Sequence, residues 1–424
     1  MRKLRSAVVL LAMAMIVVAC GRSGSGSSSE AAAGSPVPTG PISGTINVWA
    51  MGTEGEKLGV LAKDFMAKNS GVTVKVTAVP WDAAHNKISN AIAAKSTPDV
   101  SLIGTTWMGE FGAAGALDAT PSNIDKGKFF GGAWDTTVVK GTSYGVPWYV
   151  ETRVIYYRKD LAEKAGITSP PANWNDLQTM AKAMVDKAGA KWGINLQAGG
   201  TGSWQTVLPF VWQKGGGILD SSGKFTLDAQ PNIDALTYYQ SFFKDKLSPT
   251  ALDPGALEAG FIKGSIGMFI SGPWHIGILK DQSKDQPGFM AKVGLAPMPK
   301  ETAGTSFVGG GDLVVFKNTK NRAAAWAFVQ YLSQPDVQAK WYQTVADLPS
   351  VQSAWDDPSI SGDANLKVFG EQLKDAKSPP AIATWEQIAT VIDTEVEKLT
   401  KSGEAPDGAA KAMQTQATST GTGL

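Results

Sequence analysis

The alternation of hydrophobic and polar residues near the start of the chain predicts strands and helices in turn. Residues 45–50 alternate with the period of a strand, and apolar side chains in 58–66 recur at the spacing of an amphipathic helix. Residues 72–79 and 99–103 again have a strand pattern, with a helix predicted at 87–95 between them. This order predicts a parallel α/β lobe whose ligand crevice lies beyond the carboxyl ends of the strands.

A central stretch, residues 144–166, combines aromatic rings with one carboxylate. An extended aromatic run is followed by Glu151, then by an apolar strand at 154–157 and a short helix that ends at Gly166. A carboxylate beside flat apolar rings is typical of a binding site. The composition alone is equally compatible with rings in the core and an exposed Glu151 at a strand end.

The rest of the chain continues the same two patterns and becomes helical toward its end. After Gly403 the sequence is small and polar, and we expect this tail to fray. Further helices are predicted after Asn173, which is a suitable N-cap, from Pro231, and at 323–332, 335–345 and 382–399. Further strands are predicted at 266–270, 293–296 and 313–316. A glycine-rich loop at 309–312 is predicted to join the last two strands.

Composition limits the class of protein. The chain has 424 residues, of which 18% are charged, and a net charge of +1, so it is long enough for two lobes and has no field that favours nucleic acid. With only 2 His and 1 Cys, a histidine-based metal cluster and a disulfide framework are excluded. We expect a monomer without cofactor or metal.

The single cysteine follows a predicted signal peptide at residues 1–20. This segment begins with basic residues and has an apolar core at 7–18 that is too short to span a bilayer comfortably. Small residues before Cys20 and Gly21 after it resemble the bacterial lipobox, which implies lipidation of Cys20. Residues 21–44 are predicted to be a flexible tether, so we expect the protein on the extracytoplasmic face of the cell membrane. An ordinary signal peptide with an incidental Cys20 is the alternative.

Five stretches, in their order and spacing, resemble the extracellular solute-binding proteins of sugar ABC transporters, of the maltodextrin- and oligosaccharide-binding type (family 1). The resemblance implies an α/β, two-lobed periplasmic-binding-protein-like fold (type II), with discontinuous lobes and a ligand cleft at the hinge. It also implies a sugar or oligosaccharide ligand, permease subunits as partners, and no enzymatic activity. The stretches are STPDVSLIGTTWMGEF, YGVPWYVETRVIYYRKDL, NWNDLQTMAKAM, GSIGMFISGPW and VGGGDLVVFKNTKNRAAAWAFVQYLSQPDVQAKW.

In this family the chain crosses between the lobes three times. By resemblance we place the crossings near 148–151, 304–308 and 353–358. The implied division is 45–149 with 305–354 for the first lobe, 150–304 with 355–403 for the second lobe, and 404–424 for a flexible tail.

The resemblance also implies which residues contact the ligand. A sugar ring offers C–H faces to aromatic side chains and hydroxyls to carboxylates. Trp274, after Gly-Pro at a strand end, matches the sugar-stacking tryptophan of the family, and Glu151 matches an acidic residue that bonds hydroxyls. Glu54 lies in the loop after the first strand, where relatives bring in a polar contact, and Glu56 is the alternative candidate for that contact. Gly310 and Gly311 match a glycine pair through which backbone amides approach the ligand.

Some positions depart from the family pattern. Thr106 and Trp107 stand where relatives often carry an acidic or amide residue, and Val351 stands where many oligosaccharide binders have Arg. These departures affect which sugar is bound. A site role and a core role are both open for Trp81, Asp82, Trp148 and Trp204.

Two enzyme classes and a second ligand class are the alternatives. Residues 141–145 match GxSxG and His275 lies downstream, but a nucleophile elbow needs a following helix and an extended run follows here. We interpret residues 143–145 as a hairpin turn. A glycosidase that uses Glu54 and Glu151 as its two carboxylates stays open. The same fold with a peptide, polyamine or phosphate ester is disfavoured because the candidate loops lack dense like charges.

Overall fold

The computed structural model describes residues 34–253 and 255–424. The predicted signal peptide, Cys20 and residues 21–33 of the predicted tether lie outside the described residues. Within the described part, no helix is long and apolar enough to cross a membrane.

The strands of the described residues vary from two to ten residues in length. They are β1 (Gly44–Met51), β2 (Val72–Val79), β3 (Val100–Gly104), β4 (Val138–Val139), β5 (Thr142–Ser143), β6 (Val146–Thr152), β7 (Val154–Arg158), β8 (Met268–Ser271), β9 (Val293–Ala296), β10 (Ser306–Val315), β11 (Leu348–Pro349) and β12 (Ala376–Lys377).

Two sheets organise the molecule. The larger has the order β11-β6-β10-β3-β1-β2, with β12 paired to β10, and the smaller has the order β8-β7-β9. Strand β1 is parallel to both β2 and β3, with Val48 opposite Val76 and Val100, which confirms the predicted parallel lobe. Strand β10 is antiparallel to both β3 and β6 and joins them into one sheet.

The two sheets are connected where β6 ends and β7 begins. Strand β6 belongs to the larger sheet and β7 to the smaller one, so the chain passes between them at Arg153. The Thr152 hydroxyl donates to the Phe307 carbonyl at 2.6 Å, and the Ser306 hydroxyl donates to the Arg153 carbonyl at 2.7 Å. These bonds tie the start of β10 to the same junction. The predicted lobe boundaries stay predictions.

Helices cover the faces of both sheets. They are α1 (Gly52–Lys57), α2 (Gly59–Lys68), α3 (Trp81–Ala93), α4 (Met108–Ala113), α5 (Gly131–Thr136), α6 (Lys159–Lys164), α7 (Trp174–Asp186), α8 (Trp204–Gln213), α9 (Gln230–Lys244), α10 (Ala256–Lys263), α11 (Trp274–Gln282), α12 (Arg322–Leu332), α13 (Pro335–Val345), α14 (Pro358–Ser361), α15 (Ala364–Leu373), α16 (Trp385–Glu397) and α17 (Pro406–Thr420).

Separate hydrophobic cores underlie the sheets. One core packs α2, α12 and α13 against the larger sheet and includes the buried rings of Trp326 and Trp341. Another packs α7, α8, α9, α16 and α17 together. A third lies between β7, β8, α10 and α15. Burial of these rings supplies much of the favourable free energy of folding.

The C-terminal tail is a helix, which corrects the expectation that residues 404–424 are flexible. Pro406 opens α17, where its missing N–H costs nothing. Small residues and Met413 then recur at helical spacing and are buried. The Gln414 side chain donates to the Phe225 carbonyl at 2.9 Å and accepts from the Leu227 amide at 2.7 Å. Packing, which composition does not reveal, orders this segment.

The predicted glycine-rich loop at 309–312 is also wrong, because these residues lie inside strand β10. Each glycine faces a residue of β6, and the register shifts between Gly311 and Asp312 as at a β-bulge. The two flanking strands provide the hydrogen-bond partners that a loop would have lacked.

Smaller differences change the local setting of candidate residues. The predicted turn at 52–56 is helix α1, and the helix predicted at 87–95 begins already at Trp81. The hairpin turn lies at Lys140 and Gly141, both with positive φ, rather than at 143–145. Positive φ at Gly141 carries no steric cost, which favours the turn there.

Candidate functional site

A cleft of 340 Å³ opens along strand β6. Its walls come from β6, from helix α11 beside the smaller sheet, and from the end of α13 beside the larger sheet. Two of the predicted ligand contacts, Glu151 and Trp274, therefore line one cavity. Other polar or aromatic lining residues are Tyr149, Lys280, Tyr342, Asp347 and Asp363.

Trp274 is the exposed ring of this cleft. It begins helix α11 and is 42% exposed, a large fraction for a tryptophan. A Cβ at Gly272 would lie 2.0 Å from the ring, so only glycine lets the indole fold over its own loop. The Tyr156 hydroxyl donates to the Gly272 carbonyl at 2.7 Å, and Ser271 Oγ lies 2.6 Å from His275 Nδ1. These bonds fix the loop that presents the indole.

Glu151, which lines the cleft, forms an ion pair with Arg153. Its Oε2 accepts from Arg153 Nη1 at 2.7 Å, and Arg153 Nη2 donates to the Gln205 side-chain oxygen. The guanidinium also lies over two rings, at 4.5 Å from the centroid of Trp274 and 5.4 Å from that of Phe307. The carboxylate, 25% exposed, keeps access to the cleft.

Two further carboxyl groups lie close to Tyr149. Burial raises the pKa of Glu54, an effect opposed by hydrogen bonds from its own backbone, the Tyr149 hydroxyl and the Trp81 indole. Burial, followed by repulsion from Glu54 and Glu151, raises the pKa of Asp347 to about 8. The Trp341 indole donates to Asp347 Oδ2 at 2.9 Å.

The carboxyl groups around Tyr149 thus offer two kinds of hydrogen bond. A carboxylate accepts from hydroxyl donors, whereas a protonated carboxyl group also donates. Burial raises the pKa of the Tyr149 hydroxyl well above its ordinary value, and the neighbouring carboxylates raise it further. The phenol therefore stays a neutral donor beside them. This arrangement suits a ligand with both donors and acceptors on its rim.

A second aromatic group stands beside Glu54. The rings of Trp81 and Trp107 meet edge to face at 5.7 Å, and a Cβ at Gly52 would lie 2.8 Å from Trp81. Trp81 is exposed, and Thr106 and Trp107 are half-buried in the turn that follows β3. Asp82 is exposed in the first turn of α3 and is not a lining residue of the 340 Å³ cleft.

The remaining two tryptophan candidates lie in the cores. Trp148 is 1% exposed and stacks on Trp341 at 4.8 Å, so the structure corrects its predicted ligand contact. Trp204 is buried and meets Trp385 edge to face at 5.0 Å. For these two positions the core role is the correct alternative. Val351 is also buried, in contact with the core of the larger sheet.

Gly310 and Gly311 serve strand packing, which differs from their predicted approach to the ligand. Gly310 has φ +132°, and a Cβ there would lie 2.1 Å from the Tyr149 carbonyl oxygen. A Cβ at Gly311 would lie 2.5 Å from Leu102 and 2.7 Å from the Tyr149 ring. The pair lets β10 approach β6 and leaves room for the Tyr149 ring.

Sequence reasoning missed Asp347, Tyr149 and Arg153 as members of the site. Asp347 follows Ala346, which has φ 64° at the end of α13, and no local pattern marks it. In the sequence, Tyr149 is one ring of an aromatic run and nothing distinguishes it from the others. The alternation of β6, which turns Tyr149 and Glu151 to the same side, was the available signal.

The Ser143 and His275 side chains, which the disfavoured hydrolase alternative requires to meet, have other partners. The Ser143 hydroxyl lies 2.8 Å from that of Thr120 and 2.9 Å from that of Thr137. His275 instead bonds Ser271 and, through Nε2 at 3.1 Å, Glu258. Ser143 is buried, and no helix follows it as a nucleophile elbow requires.

The model of the bacterial extracellular solute-binding protein family matches residues 51–339. The chain belongs to this family. This match confirms the resemblance of the five sequence stretches. The two-lobed α/β fold is also confirmed, because a solved structure of this architecture covers most of the chain. That structure is the sugar-binding protein MalE of Xanthomonas citri, which is 32% identical, has a TM-score of 0.83 and covers 89% of this chain and 97% of its own.

Two curated relatives match most of the chain. A binding protein of Brucella abortus is 30% identical over 357 residues, which are 82% of this chain and 86% of the relative. A maltotriose-binding protein of Pyrococcus abyssi is 27% identical over 357 residues, which are 78% of this chain and 73% of the relative.

Proposed function

We propose that the chain is the substrate-binding component of an ABC importer and captures a sugar or short oligosaccharide. One observation carries the proposal: an exposed indole, Trp274, and a carboxylate, Glu151, line the same cleft between the two sheets. The sugar- and maltotriose-binding relatives support a carbohydrate ligand.

In this account each part of the site contacts a different part of the ligand. The indole of Trp274 covers the C–H face of a sugar ring, and Glu151 accepts from a hydroxyl. Asp347 and Tyr149 bond oxygens on the rim. Trp81, Trp107 and Thr106 extend the surface on the side of the larger sheet.

Ligand binding closes the two lobes about the junction at Arg153. The chain passes there from β6 of the larger sheet to β7 of the smaller one, so a small backbone rotation at the junction changes the angle between the sheets. We expect the radius of gyration from X-ray scattering to fall when a saturating sugar is added. An unchanged radius would contradict closure. The closed form is what the permease subunits recognise.

A thermal-shift screen tests the ligand class. Maltooligosaccharides, chitooligosaccharides and arabinooligosaccharides are compared with polyamines, amino acids and phosphate esters, because a ligand of the native state alone raises the melting temperature. A shift with a sugar supports the proposal. A shift confined to a charged non-sugar would replace it with another solute in the same fold.

We infer that the chain is a binding protein and not an enzyme. The relatives above are named for binding. The glycosidase alternative requires Glu54 and Glu151 as its two carboxylates, and both lie close to Tyr149. Incubating the protein with the bound oligosaccharide and analysing the products by chromatography separates the two. Intact oligosaccharide supports binding, and shortened products would favour a glycoside hydrolase.

We also propose that a lipid on Cys20 anchors the protein to the extracytoplasmic face of the membrane. The motif Val17-Val18-Ala19-Cys20 after a short apolar segment supports this proposal. Replacing Cys20 with Ser is expected to abolish acylation and release the protein from the membrane fraction. Unchanged acylation and retention would refute the anchor.

A further inference from the structure

We propose that Arg153 is a positioning residue of the sugar site, which fixes the plane of Trp274 and the carboxylate of Glu151 before the ligand arrives. The role in sugar binding rests on the proposed function, whereas the contacts of Arg153 with Trp274 and Glu151 do not depend on it. The side chain of Arg153 is only 11% exposed, so it acts through its neighbours.

The guanidinium uses both its edge and its face. Along the edge, Nη1 donates to Glu151 at 2.7 Å and Nη2 donates to Gln205. Its central carbon lies over the Trp274 ring, 4.5 Å from the centroid, and 5.4 Å from the centroid of Phe307. A planar group with several donors makes these contacts at once, whereas a lysine ammonium would not.

The partner on the far side of Arg153 is itself held firmly. Gln205 lies in the first turn of α8, and the Asp393 carboxylate caps that end of the helix. It accepts from the Gly202 amide at 2.8 Å, the Ser203 hydroxyl at 2.7 Å and the Trp204 amide at 2.8 Å. Arg153 therefore links the capped first turn of α8 to the Glu151 and Trp274 side chains of the cleft.

The contact with Arg153 still leaves much of Trp274 accessible to a ligand. The central carbon of the guanidinium lies over the ring, and the residue is 42% exposed. The same contact restricts the rotamers of the indole and of Glu151. A ligand then binds side chains that are already ordered and avoids the entropy cost of ordering them.

Fluorine NMR of protein labelled with 5-fluorotryptophan tests the positioning directly and needs no ligand. The chain has 14 Trp, and the Trp274 resonance is the one that disappears in Trp274→Phe. In Arg153→Gln we expect this resonance to move by more than its linewidth and to show a larger shift between H2O and D2O. Arg322→Gln, which removes an arginine paired to Asp118 at 2.6 Å, is the matched control and should leave it in place.

Arg153→Lys supplies a second variant if Arg153→Gln does not fold. It keeps the charge next to Glu151 but loses the plane over the indole, so the Trp274 resonance should again move. An unchanged position and unchanged solvent shift in a folded variant would overturn the proposal.

Titration with maltotriose adds a readout of binding. We expect Arg153→Lys to weaken the Kd by about tenfold, since two side chains must be ordered on binding. A Kd equal to that of the parent would also overturn the positioning role. If the parent binds none of the sugars in the screen, the proposed function fails, while the NMR result still decides whether Arg153 orders Trp274.

Discussion

The Glu151 carboxylate, which lines the cleft, and the Arg153 guanidinium form an ion pair 2.7 Å long. One carboxylate oxygen is therefore occupied before any ligand binds. The other oxygen has no hydrogen-bond partner among the described residues, and the charge of the pair is balanced. Glu151 is thus a fixed acceptor and not a free anion.

Glu151→Gln should weaken sugar binding by about 1 kcal/mol, roughly fivefold in Kd, because an amide oxygen accepts a weaker hydrogen bond than a carboxylate. Titration calorimetry measures the change. Asp118→Asn removes the carboxylate of the Asp118–Arg322 pair outside the cleft and is the matched control. A parent-like Kd in Glu151→Gln would remove this residue from the ligand contacts.

Trp148→Ala should destabilise the protein by about 3–5 kcal/mol, because it leaves a cavity in the core beside Trp341. Urea unfolding followed by circular dichroism gives the change in free energy. Trp81→Ala removes an exposed ring and should cost far less. If Trp148→Ala has nearly the stability of the parent but no longer binds sugar, Trp148 is a ligand contact and not a core residue.

Asp312 should make the stability of the protein depend on pH. Burial raises the pKa of this fully buried carboxyl group to about 8 from 3.8, and the Thr136 hydroxyl, 2.9 Å from Oδ2, only partly opposes the shift. Between these two values the native state binds more protons than the unfolded state. The stabilisation contributed by the protonated Asp312 carboxyl group is therefore complete at low pH and is lost as the pH rises toward 8.

Asp312→Asn should remove a slope of up to about 1.4 kcal/mol per pH unit from the free energy of unfolding between about pH 5 and 7. Urea titrations at several pH values measure it. Asp357→Asn is the control: bonding from Ser359 lowers the pKa of Asp357, so its effect lies at lower pH. Equal slopes in the parent and in Asp312→Asn would show that Asp312 is charged in the native state.

Periodicity predicted the elements whose signals are local. Strand β2 and helix α13 have the predicted bounds, because alternation and a proline at a helix start depend on neighbouring residues alone. Trp274 and Glu151 were placed by resemblance, and both line the cleft.

The errors concern residues whose setting is decided by distant parts of the chain. Trp148 is buried by Trp341 of α13, and the tail is ordered by α9 and α16, neither of which follows from local composition. Likewise, the glycines at 309–311 become a strand because β6 pairs with all three of them and β3 pairs with Gly311. Asp347 entered the site through a turn that no motif marks.

The binding of a sugar at Trp274 is tested most directly by titrating the parent and Trp274→Ala with the sugar that gives the largest thermal shift. Loss of an aromatic anchor should cost about 2 kcal/mol or more, which is about 30-fold in Kd. Because the ring is 42% exposed, the melting temperature of the ligand-free protein should change little. Trp192→Ala, which removes a half-buried ring outside the cleft, is the control and should bind like the parent. Parent-like affinity in Trp274→Ala would contradict the account.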